Sequence, residues 1–251
     1  MSGREHISGI EVVRLDEVAS TNDAVRALAE ERRTHAPLLV TARHQHAGRG
    51  RGGNRWLSSP GDDLLLSLLW YPAALPAAGQ FVLSMAAALA TAQLVGAFTS
   101  GTAVKWPNDI LTGGKKIAGI LIENIIRGDR LDATIIGIGV NINGTSFPAT
   151  LPTAVSLRMV TGRRYDPATL LETLTGRLLH HLQRADNGEE EALRSEYEEY
   201  LYRRGEESLF RTARGTMQAV ITGVDRQGRL LLKEKGKESH AFGMDEVHQL
   251  L

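Results

Sequence analysis

The sequence predicts an α+β fold, a mixed and largely antiparallel sheet with helices, followed by a small β-barrel at the C-terminal end. Three observations predict it. The β-type runs arrive mostly as hairpins, and the helical segments come in groups between them. From Ser208 onward, short β-prone runs alternate with turn residues. A chain of 251 residues is long enough for one large domain plus a small one.

The elements follow in order. Ile10 to Leu15 reads as a strand. Ser20-Thr21-Asn22-Asp23 is a helix start, with Ser20 at the N-cap and Val25, Leu28 and Ala29 at helical spacing. Pro37 to Ala42 is β-type, and Leu64 to Tyr71 is a strongly apolar run of strand length. Phe81 to Phe98 is apolar and Ala-rich. It contains Ser84, Thr91 and Gln93 and is barely long enough for a span, so it reads as a buried core helix. Ala103 to Trp106 is a short strand before the turn Pro107-Asn108-Asp109. Ile117 to Ile126 and Leu131 to Val140 form a hairpin around Arg127-Gly128-Asp129. Asp166-Pro167 opens a helix that runs to about Ala185. A charged helix covers about Glu189 to Tyr202, and Gly205 ends the helical zone. Gln218 to Val224 and Leu230 to Lys233 are strands of a barrel of roughly 45 residues, too small to be very stable unless it docks on its neighbour.

Bulk composition removes several function classes. Lys+Arg and Asp+Glu are equal at 29 each, which disfavours non-specific nucleic-acid binding. No cysteine is present, so disulfides, thiolate catalysis and Cys-zinc sites are excluded. Met1 to Glu11 lacks a signal-peptide apolar region, and a cytoplasmic protein without a membrane span is expected. No Walker-type phosphate loop occurs. His44, His46, His180 and His181 lack the spacing of metal ligands, and no metal site is expected from the protein's own residues.

Four segments stand out beyond what packing requires. Ser20-Thr21-Asn22 gathers small hydrogen-bonding groups at a helix N-terminus, where a plain cap is the simpler reading. Gly48-Arg49-Gly50-Arg51-Gly52-Gly53-Asn54-Arg55-Trp56 lies in a window with no Asp or Glu between Glu31 and Asp62. Its glycines let the backbone approach a ligand, and its arginines match phosphate or carboxylate geometry. Gln45 to Trp56 therefore reads as an ordered anion-binding loop rather than an RNA-binding Gly-Arg tract, which usually repeats. Lys105-Trp106-Pro107-Asn108-Asp109 and Lys115-Lys116-Ile117-Ala118-Gly119 place two lysine sites about a turn, one of them suited to face a phosphate. Gly137-Ile138-Gly139-Val140-Asn141 marks either close backbone approach or a β-bulge, with Asn141 offering an amide to the same cavity.

In order and spacing, these segments resemble the biotin–protein ligase family, also known as biotin–[acetyl-CoA-carboxylase] ligases. The motifs are Ser20-Thr21-Asn22, the Gly48-to-Trp56 run, Lys105-Trp106-Pro107-Asn108-Asp109, Lys116-Ile117-Ala118-Gly119-Ile120-Leu121-Ile122-Glu123 and Gly137-Ile138-Gly139-Val140-Asn141. The resemblance implies a catalytic domain over 1–205, related to class II aminoacyl-tRNA synthetases and lipoate ligases. Over 206–251 it implies an SH3-like barrel. It implies two steps: biotin and MgATP give biotinyl-5′-AMP and pyrophosphate, and the biotinyl group then passes to a lysine of a biotin carboxyl carrier protein. Ser20, Thr21, Asn22 and Gln45 fall where the family binds biotin. Gly48, Arg49, Gly50 and Arg51 fall on its ligand-closing loop, with Trp56 as an apolar wall. Lys116 falls on the lysine that reaches the biotin carboxylate and the α-phosphate. Asn108, Asp109 and Asn141 fall near the nucleotide and the reacting centre. Asn54 stands where several relatives carry another Arg. The first strand begins near Ile10, so the monofunctional form without an N-terminal helix-turn-helix is expected, with no DNA binding, as a monomer or homodimer.

The chemistry accounts for these residue types. Biotin's carboxylic acid is already ionised at neutral pH and needs no general base in the first step. The obstacle is an anion attacking the α-phosphorus of a polyanion, so neutralising cations and positioning should dominate. Arg49, Arg51 and Lys116 are the candidates. Mg²⁺ is expected chiefly on phosphate oxygens. Asp109 is the candidate for accepting or orienting the proton of the carrier lysine. The nearest rival, a lipoate or octanoate transferase, should lack the Gly-Arg loop.

Overall fold

The computed structural model describes residues 5–33, 35–73 and 75–250. Residues 1–4 of the stretch 1–11, where no leader is expected, lie outside the described residues, as does the last residue of the 206–251 segment. The first part of the chain supplies β1 (Glu5–Ile7), β2 (Ile10–Val18), α1 (Thr21–Arg32), β3 (Leu38–Gln45), β4 (Asp63–Trp70) and α2 (Phe81–Gly96). The middle supplies β5 (Thr102–Lys105), β6 (Asp109–Thr112), β7 (Lys115–Arg127), β8 (Arg130–Asn141) and α3 (Leu157–Thr161). Two further helices follow, α4 (Pro167–Asp186) and α5 (Glu190–Glu199). The C-terminal strands are β9 (Glu207–Thr212), β10 (Gly215–Val224), β11 (Leu230–Lys233), β12 (Ser239–Phe242) and β13 (Val247–Gln249).

Strands β1 to β8 form one sheet in the order β1-β2-β3-β4-β8-β7-β6-β5. The β2–β3 ladder is parallel, with α1 as its crossover, and the other ladders are antiparallel. This is the mixed, largely antiparallel sheet that the hairpin pattern predicts. The centre of the sheet is buried on both faces, which is why β4 reads as a continuous apolar run instead of an alternation. Leu64, Leu66, Leu68, Ile136, Ile138 and Val140 pack with α2 in the main core. Leu69, Ala133 and Ile135 pack with Val25 of α1 in a second cluster.

Helix α2 is buried from Phe81 to Val95 except at Ser84 and Gln93. By length and composition Ala77–Gly96 would pass for a membrane span, but it is sealed between the sheet and helices α4 and α5. Asp166 caps α4 by accepting the Ala168 N–H at 3.1 Å, with Pro167 following it, as the sequence predicts. Helix α5 stops at Glu199, short of the predicted Tyr202. The reason is tertiary: edge strand β5 captures the chain, with Val104 N–H donating to Tyr200 C=O and Tyr202 N–H to Val104 C=O.

The C-terminal strands pair in the order β12-β11-β10-β9-β13. No ladder joins β12 to β13 among the described residues, so the pairing is that of a five-stranded sheet and does not by itself establish the small barrel expected from the sequence. The unit docks as its small size requires. Phe210, Ile221, Val224, Leu230 and Val247 belong to the same core as α2. Trp106 Nε1, just after β5, donates to C=O of Gly228 in the β10–β11 turn at 2.9 Å, tying the two units together.

Candidate functional site

The α1 N-terminus, the loop after β3, the 105–109 turn, the middle of β7 and β8 and the β12–β13 segment surround one cavity of about 450 Å³. Ser20, Thr21, Asn22, Gln45, Arg49, Gly50, Arg51, Trp56, Asn108, Asp109 and Lys116 all line it. Segments more than a hundred residues apart in sequence thus meet in one place.

One end is neutral and polar. Ser20 occupies the N-cap position in extended backbone, but its side chain makes no cap hydrogen bond. Gln45 does that work: its Oε1 accepts from the Thr21 N–H at 2.7 Å and from the Thr21 hydroxyl at 3.0 Å. With Oε1 committed twice, the Gln45 amide NH₂ is the group left for a ligand. Ser67 lies beneath, its Oγ 2.7 Å from Thr21 Oγ1 and 2.5 Å from Asn22 Oδ1. All five side-chain owners (Ser20, Thr21, Asn22, Gln45 and Ser67) are buried.

Glycines make the room. Gly119 of β7 faces Gly139 of β8 across the ladder, and no register shift occurs near 137–139, so close approach and not a bulge explains them. The Trp56 indole lies on this pair: a Cβ at 139 would come within 2.5 Å of its ring and one at 119 within 3.0 Å. Its indole N–H is buried without an acceptor among the described residues. A Cβ at 137 would collide with Asn22 Oδ1.

The Gly-Arg loop is ordered. Gly50 N–H donates to Asn54 C=O at 2.7 Å, and Trp56 N–H to Gly48 C=O at 2.9 Å. A 3-10 turn, Arg51–Gly53, forms its tip, with Gly52 at φ 66° and Gly53 at φ 80°, where a side chain would be strained. Asn54 closes the tip by donating to Arg51 C=O at 3.0 Å. Gly48 is not in the cavity wall; it allows the return strand close, since a Cβ there would lie 2.6 Å from Trp56 C=O.

The other end is charged. Lys116 Nζ lies 2.6 Å from Asp109 Oδ1 and 5.9 Å from the Trp56 ring centroid. Arg51 pairs with Asp245 at 2.9 Å. Arg49 pairs with Asp23 at 2.6 Å and with Glu123 at 3.0 Å. Both lysine sites of the sequence reach the cavity through Lys105 and Lys116. Burial pushes the Lys105 amine below its ordinary pKa, and Lys116 nearby adds to this while Asp109 opposes it. Among the described residues, no group of three or more His, Asp or Glu side chains could hold a metal ion.

Asn141 is the second expected site residue, after Gly48, that does not line the cavity. Asn141 shares the pleat of Gly137 and Gly139 but sits at the end of β8, outside the cavity wall. Its amide donates to Val155 C=O at 3.0 Å, and Val155 N–H donates to Lys116 C=O at 2.9 Å. Asn141 therefore buttresses the backbone of Lys116. Asn108 lines the cavity, though its amide is bonded to Ile120 C=O at 3.1 Å.

Sequence reasoning missed six contributors. Ser67 had a signal: it is the polar residue within the apolar run Leu64–Trp70. Glu123 closes a noted motif but had no assigned role. Asp245, Val247, His248 and Gln249 had none, because only docking of the second sheet brings them to the cavity.

Known proteins resemble the chain in sequence and in fold. The Biotin/lipoate A/B protein ligase family model matches residues 15–141. The chain is 33% identical over 202 residues to the biotin–[acetyl-CoA-carboxylase] ligase of Paracoccus denitrificans, covering 77% of this chain and 83% of that one. It is 32% identical over 234 residues to the bifunctional ligase/repressor BirA of Bacillus spizizenii, covering 92% and 71% respectively. The biotin protein ligase of Aquifex aeolicus, solved in complex with biotin and ATP, superposes with a TM-score of 0.75 at 25% identity, over 95% of this chain and 98% of that one. By matched residues and by fold, the chain belongs to the biotin/lipoate A/B protein ligase family.

Proposed function

We propose that this protein is a biotin–[acetyl-CoA-carboxylase] ligase, which activates biotin with MgATP and transfers it to a lysine of a biotin carboxyl carrier domain. The observation that carries this reading is the single cavity with a neutral hydrogen-bonding end and a cationic end. The relatives named as biotin ligases support it.

Biotin's ureido ring takes both donors and acceptors, which suits Ser20, Thr21, Asn22 and Gln45. Trp56, Leu66 and Ile138 wall the ring and valerate carbons. The biotin carboxylate oxygen attacks the α-phosphorus of ATP and pyrophosphate leaves. Lys116, Arg51 and Arg49 neutralise the phosphate and carboxylate oxygens as charge moves between them. Asn108 stands on the nucleotide side. Mg²⁺, when bound with ATP, screens the phosphate charge, and the carboxylates lining the cavity, Asp109 and Asp245, are already ion-paired. In the second step the carrier amine attacks the acyl carbon, AMP leaves, and Asp109 takes or orients the amine proton once Lys116 has turned to the phosphate. The glycines of the loop let it close over the mixed anhydride and exclude water.

The division at 205/206, an SH3-like character of the C-terminal unit and a cytoplasmic location belong to the same proposal. So do a monomeric or homodimeric state and a lack of DNA binding. The test is to mix the protein with biotin, MgATP and a biotin carboxyl carrier domain and to weigh the carrier by mass spectrometry. One biotinyl group per carrier is expected, with lipoate giving no change. An unmodified carrier with biotin, or modification by lipoate alone, would overturn the reading.

A further inference from the structure

Glu123 is a carboxylate that the reaction as described does not use, and it joins three elements. It lies on β7 on the same pleat as the cavity residues Gly119 and Leu121. Its Oε2 accepts from Asn22 Nδ2 of α1 at 2.8 Å. Arg49 of the loop donates to both its oxygens, Nη1 to Oε1 at 3.0 Å and Nη2 to Oε2 at 3.2 Å. Arg26 of α1 stands 3.7 Å from Oε2.

We infer that Glu123 is a positioning residue for the neutral end of the cavity, fixing which way the Asn22 amide faces and tying the loop arginine to it. An ionised carboxylate is acceptor-only, so it takes the NH₂ of Asn22 and never its oxygen. The Asn22 oxygen must then face Ser67 and the groove that Gly137 leaves open. That face of the cavity presents a carbonyl-type acceptor and selects a ligand N–H. The bidentate hold on Arg49 adds geometric specificity and sets the loop against the same amide. A glutamine at 123 loses both properties: it can offer NH₂ or oxygen to Asn22, and it carries no charge for Arg49.

The inference names the ligand as biotin only through the proposed function; the placement of the amide does not depend on it. The experiment compares the wild-type protein, Glu123→Gln, Asn22→Ala and the double variant. Pyrophosphate release is measured against biotin and against ATP. Loss of one charge-assisted hydrogen bond predicts a KM for biotin raised about tenfold in Glu123→Gln. The KM for ATP changes by clearly less than that for biotin, because Arg49, which Glu123 holds, is one of three cations facing the phosphate. In the Asn22→Ala background the same change has a smaller effect, because part of its target is gone. Equal rises in both KM values, or full additivity in the double variant, overturn the inference. The Asn22 side-chain amide signal, followed by ¹⁵N NMR without ligand and assigned by its loss in Asn22→Ala, is expected to shift in Glu123→Gln. An unchanged signal overturns the inference whatever the substrate. A wild-type protein inert with biotin but showing that shift would strike the proposed function and leave the placement of Asn22 standing.

Discussion

The two ends of the cavity are built on opposite physical plans. The neutral end is buried: Thr21 and Asn22 are each 3% exposed and Ser67 is 0%. Its hydroxyls and amides are bonded to one another, so water does not compete and each group has a set direction. The charged end is open. Lys116 and Asp109 side chains are 36% and 24% exposed, and Asp245, the partner of Arg51, is 94% exposed. Ion pairs in such surroundings contribute little to stability and exchange partners readily. Under the proposed function, the contrast separates a pre-built site for the ligand ring from phosphate electrostatics assembled by swapping carboxylates for phosphate oxygens.

Substitutions at the two ends should therefore fail differently. The largest effect is expected for Lys116→Ala, which should lower pyrophosphate release about a thousandfold. Its thermal midpoint should stay near wild type, because the pair with Asp109 is partly solvated; a rate close to wild type would break the comparison at its charged end. Gly137→Ala comes next. The added methyl collides with Asn22 Oδ1, and the cost of such overpacking predicts a KM for biotin raised roughly thirtyfold. If only the melting temperature fell, Gly137 would serve the fold alone.

Salt sharpens the contrast without mutation. Going from about 0.05 M to about 0.5 M KCl shortens the screening length severalfold. The KM for ATP should rise clearly more than that for biotin, and equal rises would mean that the neutral end owes its affinity to charge.

A separate effect is read in stability rather than in turnover and lies outside the cavity. Asp63, at the start of β4, accepts N–H bonds from Ser59 and Ile142 at 3.2 and 3.3 Å. Burial nevertheless pushes its carboxyl up to about 6, with Asp62 adding to the rise and the two N–H bonds opposing it. A folded value above the unfolded one means that the native state binds the extra proton between the two. Its contribution is fully present below about pH 4 and is lost as pH rises through about 6, by roughly 3 kcal/mol at most. Urea unfolding of Asp63→Asn should show a flatter stability profile over this window than wild type, and identical profiles would refute the assignment.

Much of this was legible in the chain. The hairpin β7–β8, the capped start of α4 and the core helix α2 each carry a local signal: alternation, Asp-Pro and an all-round apolar face. The cavity residues were legible as motifs because small polar groups, glycines and arginines are unusual in runs. Asn141 shares the pleat of the cavity glycines but lies too far along the strand to line the wall, a distance its motif does not show. The end of α5 misled because a strand edge outbid its helical propensity.

By itself the sequence determined the class of sheet, the loop of glycine and arginine, and the kinds of group available to a ligand. These depend on local propensity and on chemistry that each residue carries wherever it sits. Only the tertiary structure decided that Gln45 and not Ser20 serves the α1 N-terminus, that Ser67 and Glu123 orient Asn22, and that Asp245 meets Arg51. Those facts are distances between segments far apart in the chain, set by how two sheets dock and by which face of β8 was left without side chains.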